Sequence, residues 1–391
     1  MRRRRKTECF LIKPPARGCQ GPQRRCSGFI TFCADQFGTQ KRRDSRVPPL
    51  PENQRLAYHT RVNGTTRPAT RNAVIGGGFS GLAAAHYLEK QRPDWSVVLF
   101  EAADRLGGVV KTFRDGDYLI ERAADNFLRG PTAPWAEQLC EQIGFADELM
   151  PTAERHRGAH VYWRGRLHAV PAGFQLLAPA RMGPILRSGL LSPLGRLRLC
   201  CEPFIREPTV VRDESLREFA ERRLGRQAFE RLVQPLVSGI YTADPDRLSV
   251  AAALPQMVEM AREQGSLYRA MRQRQRQSSS ERSTRGARYS LFVAPREGMS
   301  QLVAALAAQL PRTEIRLQTG VRRLTQTSSP TWQVTTDSGS SPESFDAVVV
   351  ALPANHAAQL LTHLPHSSLA NELADIEHAS SVVVCLGYQE S

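Results

Sequence analysis

A run of three glycines set between a short apolar strand and an alanine-rich helix constrains this chain more than any other feature. Ala73, Val74 and Ile75 are followed at once by Gly76-x-Gly78-x-x-Gly81, and then by Leu82, Ala83, Ala84, Ala85 and Leu88 at helical spacing. Strand, tight turn and helix in that order form a dinucleotide-binding unit. Gly76 permits the turn, Gly78 lets backbone approach a pyrophosphate, and Gly81 allows close packing of helix on strand. The helix start, at Phe79 and Ser80, offers free N–H groups to the anion. Glu101 stands twenty residues after Gly81, at the end of a second apolar strand, Val97 to Phe100. A carboxylate there accepts hydrogen bonds from a ribose diol and disfavours a 2′-phosphate, which argues against NADP. Glycine-rich turns also join strands to helices with no ligand. The strand before, the helix after and the acid at this distance decide for a bound dinucleotide.

The next residues choose between a nicotinamide and a flavin. Arg105, Gly107, Gly108 and Thr112 resemble the R-x-G-G-x-x-x-S/T segment of amine-oxidase-like flavoproteins. Paired glycines leave the backbone bare enough to pass against a second phosphate or the flavin. The alternative is a plain turn after the second strand, with Arg105 solvated.

The formal charge of +15 on 391 residues suggests a polyanionic partner until its distribution is examined. Residues 1–70 hold 16 Lys/Arg against 4 Asp/Glu, so the remaining chain is close to neutral. The extension begins Met-Arg-Arg-Arg-Arg-Lys, is rich in Pro, Gln and Gly and lacks apolar periodicity, so disorder is expected. It reads as an Arg-rich transit segment, a basic tether, or sequence from an upstream start that adds nothing to the fold. No nucleic-acid-binding fold accompanies the charge, and no nucleic-acid partner is expected. Cys9, Cys19, Cys26 and Cys33 in the extension match no zinc spacing, so no metal is expected. Cys140, Cys200, Cys201 and Cys385 read as reduced core residues of a cytosolic-type protein. No run of eighteen apolar residues occurs, which argues against a spanning helix.

Along the chain, Trp135 to Met150 has helical spacing ending near Gly144, and Ala159 to Ala169 alternates as a hairpin turning at Gly165. Residues 172–205 mix apolar residues with Arg181, Arg187, Arg196 and Arg198 in short broken helices. This is a helical subdomain with a charged outer face or a monotopic membrane-contact surface. Leu216 to Leu236 reads as an amphipathic helical pair. Gln273 to Arg288 carries no core pattern and is expected to be an exposed loop. Gly298 caps a helix through Leu310, strands follow at Arg316–Leu324 and Trp332–Thr336, and Phe345 to Leu352 reads as one continuous buried strand.

Three blocks are similar to the oxygen-dependent protoporphyrinogen oxidase family. They are Asp117 to Glu121 leading to Asn126-Phe127-Leu128, the hairpin Arg164 to Pro171, and Gln234-Pro235-Leu236-Val237-Ser238-Gly239-Ile240-Tyr241. The resemblance runs from Ala73 onward. It implies an α/β plus α+β architecture, with a Rossmann-like FAD-binding domain of the p-hydroxybenzoate-hydroxylase type and an inserted substrate domain carrying the helical, membrane-contacting subdomain. The expected division is a basic extension (1–70), the first part of the FAD domain (71–152), a substrate domain (153–272), a loop (273–288), the second part of the FAD domain (289–356) and a return to the substrate domain (357–391). The implied function is FAD-dependent six-electron oxidation of protoporphyrinogen IX or coproporphyrinogen III by oxygen in haem biosynthesis. Another flavin amine oxidase, a carotenoid desaturase and an inactive flavoprotein fragment are the alternatives.

The cofactor set implied is Gly76, Gly78, Phe79, Ser80, Gly81, Glu101, Ala102, Arg105, Gly107 and Gly108, completed by Val321 and Ala351 in later segments. Arg129 is the candidate cation for a substrate propionate. No catalytic side chain is assigned, because the flavin carries the hard chemistry. A cytoplasmic location with peripheral membrane contact is implied, a homodimer is one outcome, and the transit segment stays an alternative. The family has Glu-x-Gly-Pro where this chain has Glu121-Arg122-Ala123-Ala124, so a changed fit near the flavin is expected. The resemblance also implies a further C-terminal segment closing over the flavin. With Ser391 placed inside an apparent substrate-domain strand, weak FAD binding and slow or absent turnover are expected.

Overall fold

The computed structural model describes residues 10–12, 24–25 and 70–386, apart from 130–133, 154–158, 209–211, 282–291, 328–330, 340, 365–366 and 381. The described residues divide into two compact units, one formed by 70–106 with 310–375 and the other by 10–12, 24–25, 107–309 and 376–386.

The first unit is built on a parallel four-stranded sheet in the order Glu314–Arg316, Ser96–Phe100, Arg71–Ile75, Ala347–Val350. Its central strands are continuous apolar runs because parallel sheets are covered on both faces, and Ala73, Val74, Val98, Leu99 and Phe100 are accordingly buried. The helix Phe79–Gln91 buries Gly81, Leu82, Ala85, His86 and Glu89. Glu89 is a buried acid with a structural task. Its carboxylate accepts from Arg312 N at 3.1 Å and Thr313 Oγ1 at 2.6 Å, pinning the segment that enters the edge strand. A second, antiparallel sheet of Val321–Gln326, Trp332–Thr336 and Glu343–Phe345 shares a core with the first through Phe100, Leu324, Val334 and Phe345. The rings of Phe100 and Phe345 meet edge to face at 5.8 Å between centroids.

Two expected strands prove to be four. Arg316–Leu324 breaks at Gln318, which takes φ 52° and donates its N–H to Ala103 O at 2.9 Å, so the chain leaves one sheet and enters the other. Phe345–Leu352 breaks at Asp346, whose carboxylate accepts from Arg71 N at 2.7 Å. The strand beyond it, Ala347–Val350, is only half-buried in its last three residues.

The second unit joins short antiparallel sheets to a helical core. The hairpin His160–Trp163/Arg166–Ala169 turns through Arg164 and Gly165, both at positive φ, as expected for a two-residue connection. Leu199, Leu216, Phe219, Phe229, Leu232, Met260 and Leu267 form the centre of the helical core. The helical pair expected at Leu216–Leu236 is a longer path: Leu216–Leu224, a turn at Gly225, a π-helical stretch Phe229–Val233, and Gln234–Tyr241. A capping box of Ser215 and Glu218 starts it.

The exposed loop expected from Gln273 is instead the end of a helix, Leu267–Glu281. Leu267, Ala270 and Met271 bury its first turns, and the polar residues continue a helix that is already nucleated. Residues 282–288 lie outside the described set. Within the basic extension, Phe10–Ile12 pairs with His160–Trp163 and Arg24–Arg25 pairs with Tyr118–Glu121; the rest of residues 1–69 lies outside the described set. Cys140 is buried as expected, but Cys385 is exposed, and residues 382–386 form no strand. Among the described residues no helix is long and apolar enough to cross a membrane, and no cluster of metal-ligating side chains occurs.

Candidate functional site

The glycine turn is defined by what a side chain would meet there. Gly76 continues from the strand with φ +107°, its N–H donating to Phe100 O at 2.8 Å, and a Cβ would lie 2.6 Å from Ala351 O. Ala351 is held in that position by its own N–H bond to Ile75 O at 2.8 Å. At Gly81 a Cβ would collide with the carbonyl oxygen of Gly76. Gly78 differs from both. It is the residue before the helix, with φ −73° and ψ −179°, a conformation open to any residue. Neither φ nor ψ therefore demands glycine at this position.

The helix that begins at Phe79 and Ser80 has no side-chain cap and no acidic residue in its first turn. Its leading N–H groups and the positive end of its dipole are suited to an external anion. Glu101 is half-buried, and each carboxylate oxygen accepts one backbone N–H, Oε2 from Gly77 at 2.7 Å and Oε1 from Ala103 at 2.8 Å. The group is thereby oriented, and each oxygen retains lone-pair capacity for a hydroxyl. Gly77, which the glycine spacing did not single out, is required here: a Cβ would lie 2.7 Å from Leu106 Cδ2 and 2.9 Å from Glu101 Oε2. The uninterrupted Gly-Gly-Gly run was the signal for it.

Ala102 is exposed beside Gly320, and Val321 opens the antiparallel sheet half-buried against its core. Arg105 donates to Leu106 O at 3.1 Å. The structure thus brings Gly76, Gly78, Phe79, Ser80, Gly81, Glu101, Ala102, Arg105, Val321 and Ala351 into one unit. Gly107, Gly108 and Arg129 belong to the other.

In that second unit Gly107 and Gly108 take φ 102° and 58°, as a bare, sharply turned backbone requires. Thr112 and Glu121 have a structural role that sequence reasoning missed. Thr112 N donates to Ser300 Oγ at 2.8 Å, Ser300 N donates to Thr112 Oγ1 at 2.9 Å, and Met299 N donates to Glu121 Oε1 at 2.7 Å. The antiparallel pair Thr112–Asp115/Tyr118–Glu121 therefore caps the helix Met299–Ala307. Arg129 is ion-paired through Nε with Glu137 Oε1 at 2.7 Å. A propionate there would share the guanidinium with a resident carboxylate.

A parallel sheet, a glycine turn closed to side chains at Gly76 and Gly81, an uncapped helix N-terminus and a carboxylate oriented at the end of the second strand are the features of a dinucleotide-binding protein. Residues 79–391 match the flavin containing amine oxidoreductase family, and the chain belongs to it. The cofactor of that family and of this cradle is FAD. The chain is 32% identical over 323 residues to the coproporphyrinogen III oxidase of Bacillus subtilis (strain 168), covering 81% of this chain and 66% of that protein. It is 30% identical over 331 residues to the protoporphyrinogen oxidase of Homo sapiens, with the same shares covered. The solved structure of a provisionally assigned protoporphyrinogen oxidase from Exiguobacterium sp. 255-15 superposes with a TM-score of 0.62 at 29% identity, covering 77% of this chain and 63% of that one. Cyclohexylamine oxidase from Brevibacterium oxydans IH-35A, at 21% identity and a TM-score of 0.51, shares the fold. The chain spans 66% or less of the length of these porphyrinogen-oxidising relatives.

Proposed function

We propose that this protein takes part in the FAD-dependent oxidation of a porphyrinogen, protoporphyrinogen IX or coproporphyrinogen III, to the porphyrin, with oxygen as final acceptor in haem biosynthesis. The observation that carries the reading is the similarity, over 81% of the chain, to relatives that bear the names of both reactions, together with a cradle whose residues fit the cofactor. Bound FAD supplies the two-electron acceptor for each of three successive oxidations. The chain's contribution is placement. Gly78 and the first turn at Phe79 and Ser80 receive the pyrophosphate, Glu101 fixes the ribose, and the backbone at Gly107 and Gly108 passes close to the cofactor. No side-chain acid or base is assigned to the macrocycle. Arg129 is proposed as a propionate contact shared with Glu137. Exposed Leu194, Leu197 and Phe204 support peripheral contact with a membrane.

The test is turnover of each porphyrinogen under air by FAD-loaded protein, followed by porphyrin fluorescence and hydrogen peroxide release. Formation of porphyrin from one substrate above the autoxidation rate supports the reading and selects the substrate. Flavin-loaded protein that oxidises an amine and neither porphyrinogen overturns it.

A further inference from the structure

Away from the dinucleotide cradle, the second unit contains a cavity of about 490 Å³ between the hairpin His160–Trp163/Arg166–Ala169, the loop Ser188–Ser192 and Arg231. Its charged lining is all of one sign. Arg164, Arg166 and Arg231 face it together with His168, and among the described residues no carboxylate lines it. Among the described residues neither Arg164 nor Arg166 makes an ion pair, and both are exposed.

The cavity's shape is fixed by contacts that leave these cations in place. Arg231 stacks on the Trp163 ring at 4.5 Å and donates to Leu190 O at 2.8 Å. Arg196 donates to Leu191 O at 3.0 Å and Ser188 O at 2.8 Å. The carbonyls of this loop are therefore bonded to guanidinium groups and do not offset the positive charge. Gly189 lets the His168 ring lie against the loop, since a Cβ would be 3.3 Å from its Nδ1. The positive-φ turn at Arg164 and Gly165 ends the hairpin between Arg164 and Arg166, and both line the cavity. Ser192, at the start of the helix Pro193–Cys200, adds a hydroxyl and the positive end of a helix dipole.

Like charges gathered around one cavity repel unless a counter-ion joins them. Guanidinium groups match phosphate geometry, and the indole of Trp163 and the side chain of Leu191 supply an apolar wall beside them. The volume exceeds that of a bare phosphate. We infer that this cavity binds a phosphate ester, with the phosphate on Arg164 and Arg166 and the organic part against Trp163 and Leu191. The same chemistry is presented by a soluble phosphomonoester and by a lipid headgroup.

The experiment compares the full chain with an Arg164→Gln/Arg166→Gln variant. Both side chains are exposed, so the variant is expected to keep the parent's circular dichroism and denaturation midpoint. The probes are glycerol 3-phosphate, titrated calorimetrically at fixed ionic strength, and vesicles of phosphatidylcholine with and without phosphatidylglycerol. An Arg2→Gln/Arg3→Gln variant removes the same charge from the basic extension. The expected result is saturable binding of at least one probe, weakened about tenfold in the Arg164/Arg166 variant and unchanged in the Arg2/Arg3 variant. Loss confined to glycerol 3-phosphate identifies a soluble ester, and loss of phosphatidylglycerol-dependent vesicle binding identifies a headgroup. No saturable binding of either probe, or equal weakening in both variants, overturns the site.

Discussion

Two helices in this protein treat their positive ends in opposite ways. Phe79–Gln91 begins without a cap and without an acid. Leu267–Glu281 begins against a fully buried carboxylate, Glu202, which accepts from Ser266 Oγ at 2.6 Å, Leu267 N at 2.8 Å and Tyr268 N at 3.2 Å. Glu202 is in turn paired with the fully buried Arg223 at 3.4 Å, and Arg223 also pairs with Glu207. Burial pushes the Arg223 guanidinium below its ordinary range against the opposing pull of Glu202. One helix is closed by an anion from its own chain, and the other starts with no side-chain cap. The comparison teaches that the chain spends a buried carboxylate on one helix start and none on the other, which leaves the leading N–H groups of Phe79–Gln91 to be satisfied from elsewhere.

Substituting Glu202 breaks the comparison most severely. Glu202→Ala strips the helix start and leaves the buried Arg223 with one remaining carboxylate, Glu207, beside its backbone carbonyl acceptors, and a loss of about 3–5 kcal/mol is expected in urea denaturation. A loss below about 1 kcal/mol, the range of an exposed pair, would show that Glu202 is not the closing anion.

Next come the glycines of the open end. Gly76→Ala must hold a Cβ at φ +107° against Ala351 O and is expected to cost about 1–3 kcal/mol along with the flavin. Gly78→Ala is expected to lose flavin while its apo stability stays within about 0.5 kcal/mol of the parent. Equal destabilisation by the two would mean that Gly78 also serves the backbone.

Glu343, at the edge of the antiparallel sheet, is a carboxylate whose role is purely structural. The Arg316 hydrogen bond foremost, with Arg71 assisting, holds its carboxyl below the ordinary range. A depressed carboxyl contributes fully above its unfolded value and loses its contribution as pH falls through the folded one. Glu343→Gln is therefore expected to cost about 1 kcal/mol near neutrality, the gap closing in acid through and below the usual glutamate range. A gap that stays constant in acid denaturation series would remove the charge from the explanation.

The smallest effect sharpens the comparison by reversing it. Ser80→Asp supplies the missing acid to the open helix, and the apo protein is expected to gain about 0.5 kcal/mol while FAD retention falls. Unchanged flavin content in the purified variant would show that the first turn does not face the pyrophosphate.

The dinucleotide cradle was legible because its geometry is local. Gly76, Gly81 and Glu101 are fixed by spacing along a strand, turn, helix and strand, and the oxygen that excludes a side chain at Gly81 belongs to Gly76 itself. The Glu202–Arg223 pair was not legible. Glu202 sits in Cys-Cys-Glu-Pro-Phe with no local signature, 21 residues from its cation and more than 60 from the helix it closes. The Gln-Ser tract after Gln273 was misread for the same reason, since its helix starts from that remote carboxylate and not from its own composition. The sheet changes at Gln318 and Asp346 also depend on distant partners, Ala103 and Arg71. Apolar patterning alone carried both strands straight through them.

Cys140 gives the second unit a built-in clock. Burial first, and then the nearby charges of Glu137 and Glu141, push its thiol up to about 11. Near neutral pH only about one such thiol in ten thousand is the reactive thiolate. Alkylation at Cys140 therefore waits on opening of the helix Trp135–Gln142, whereas Cys385 lies exposed. The order in which the two sulfurs are marked records how often that helix lifts away from the core, with no probe added to the molecule.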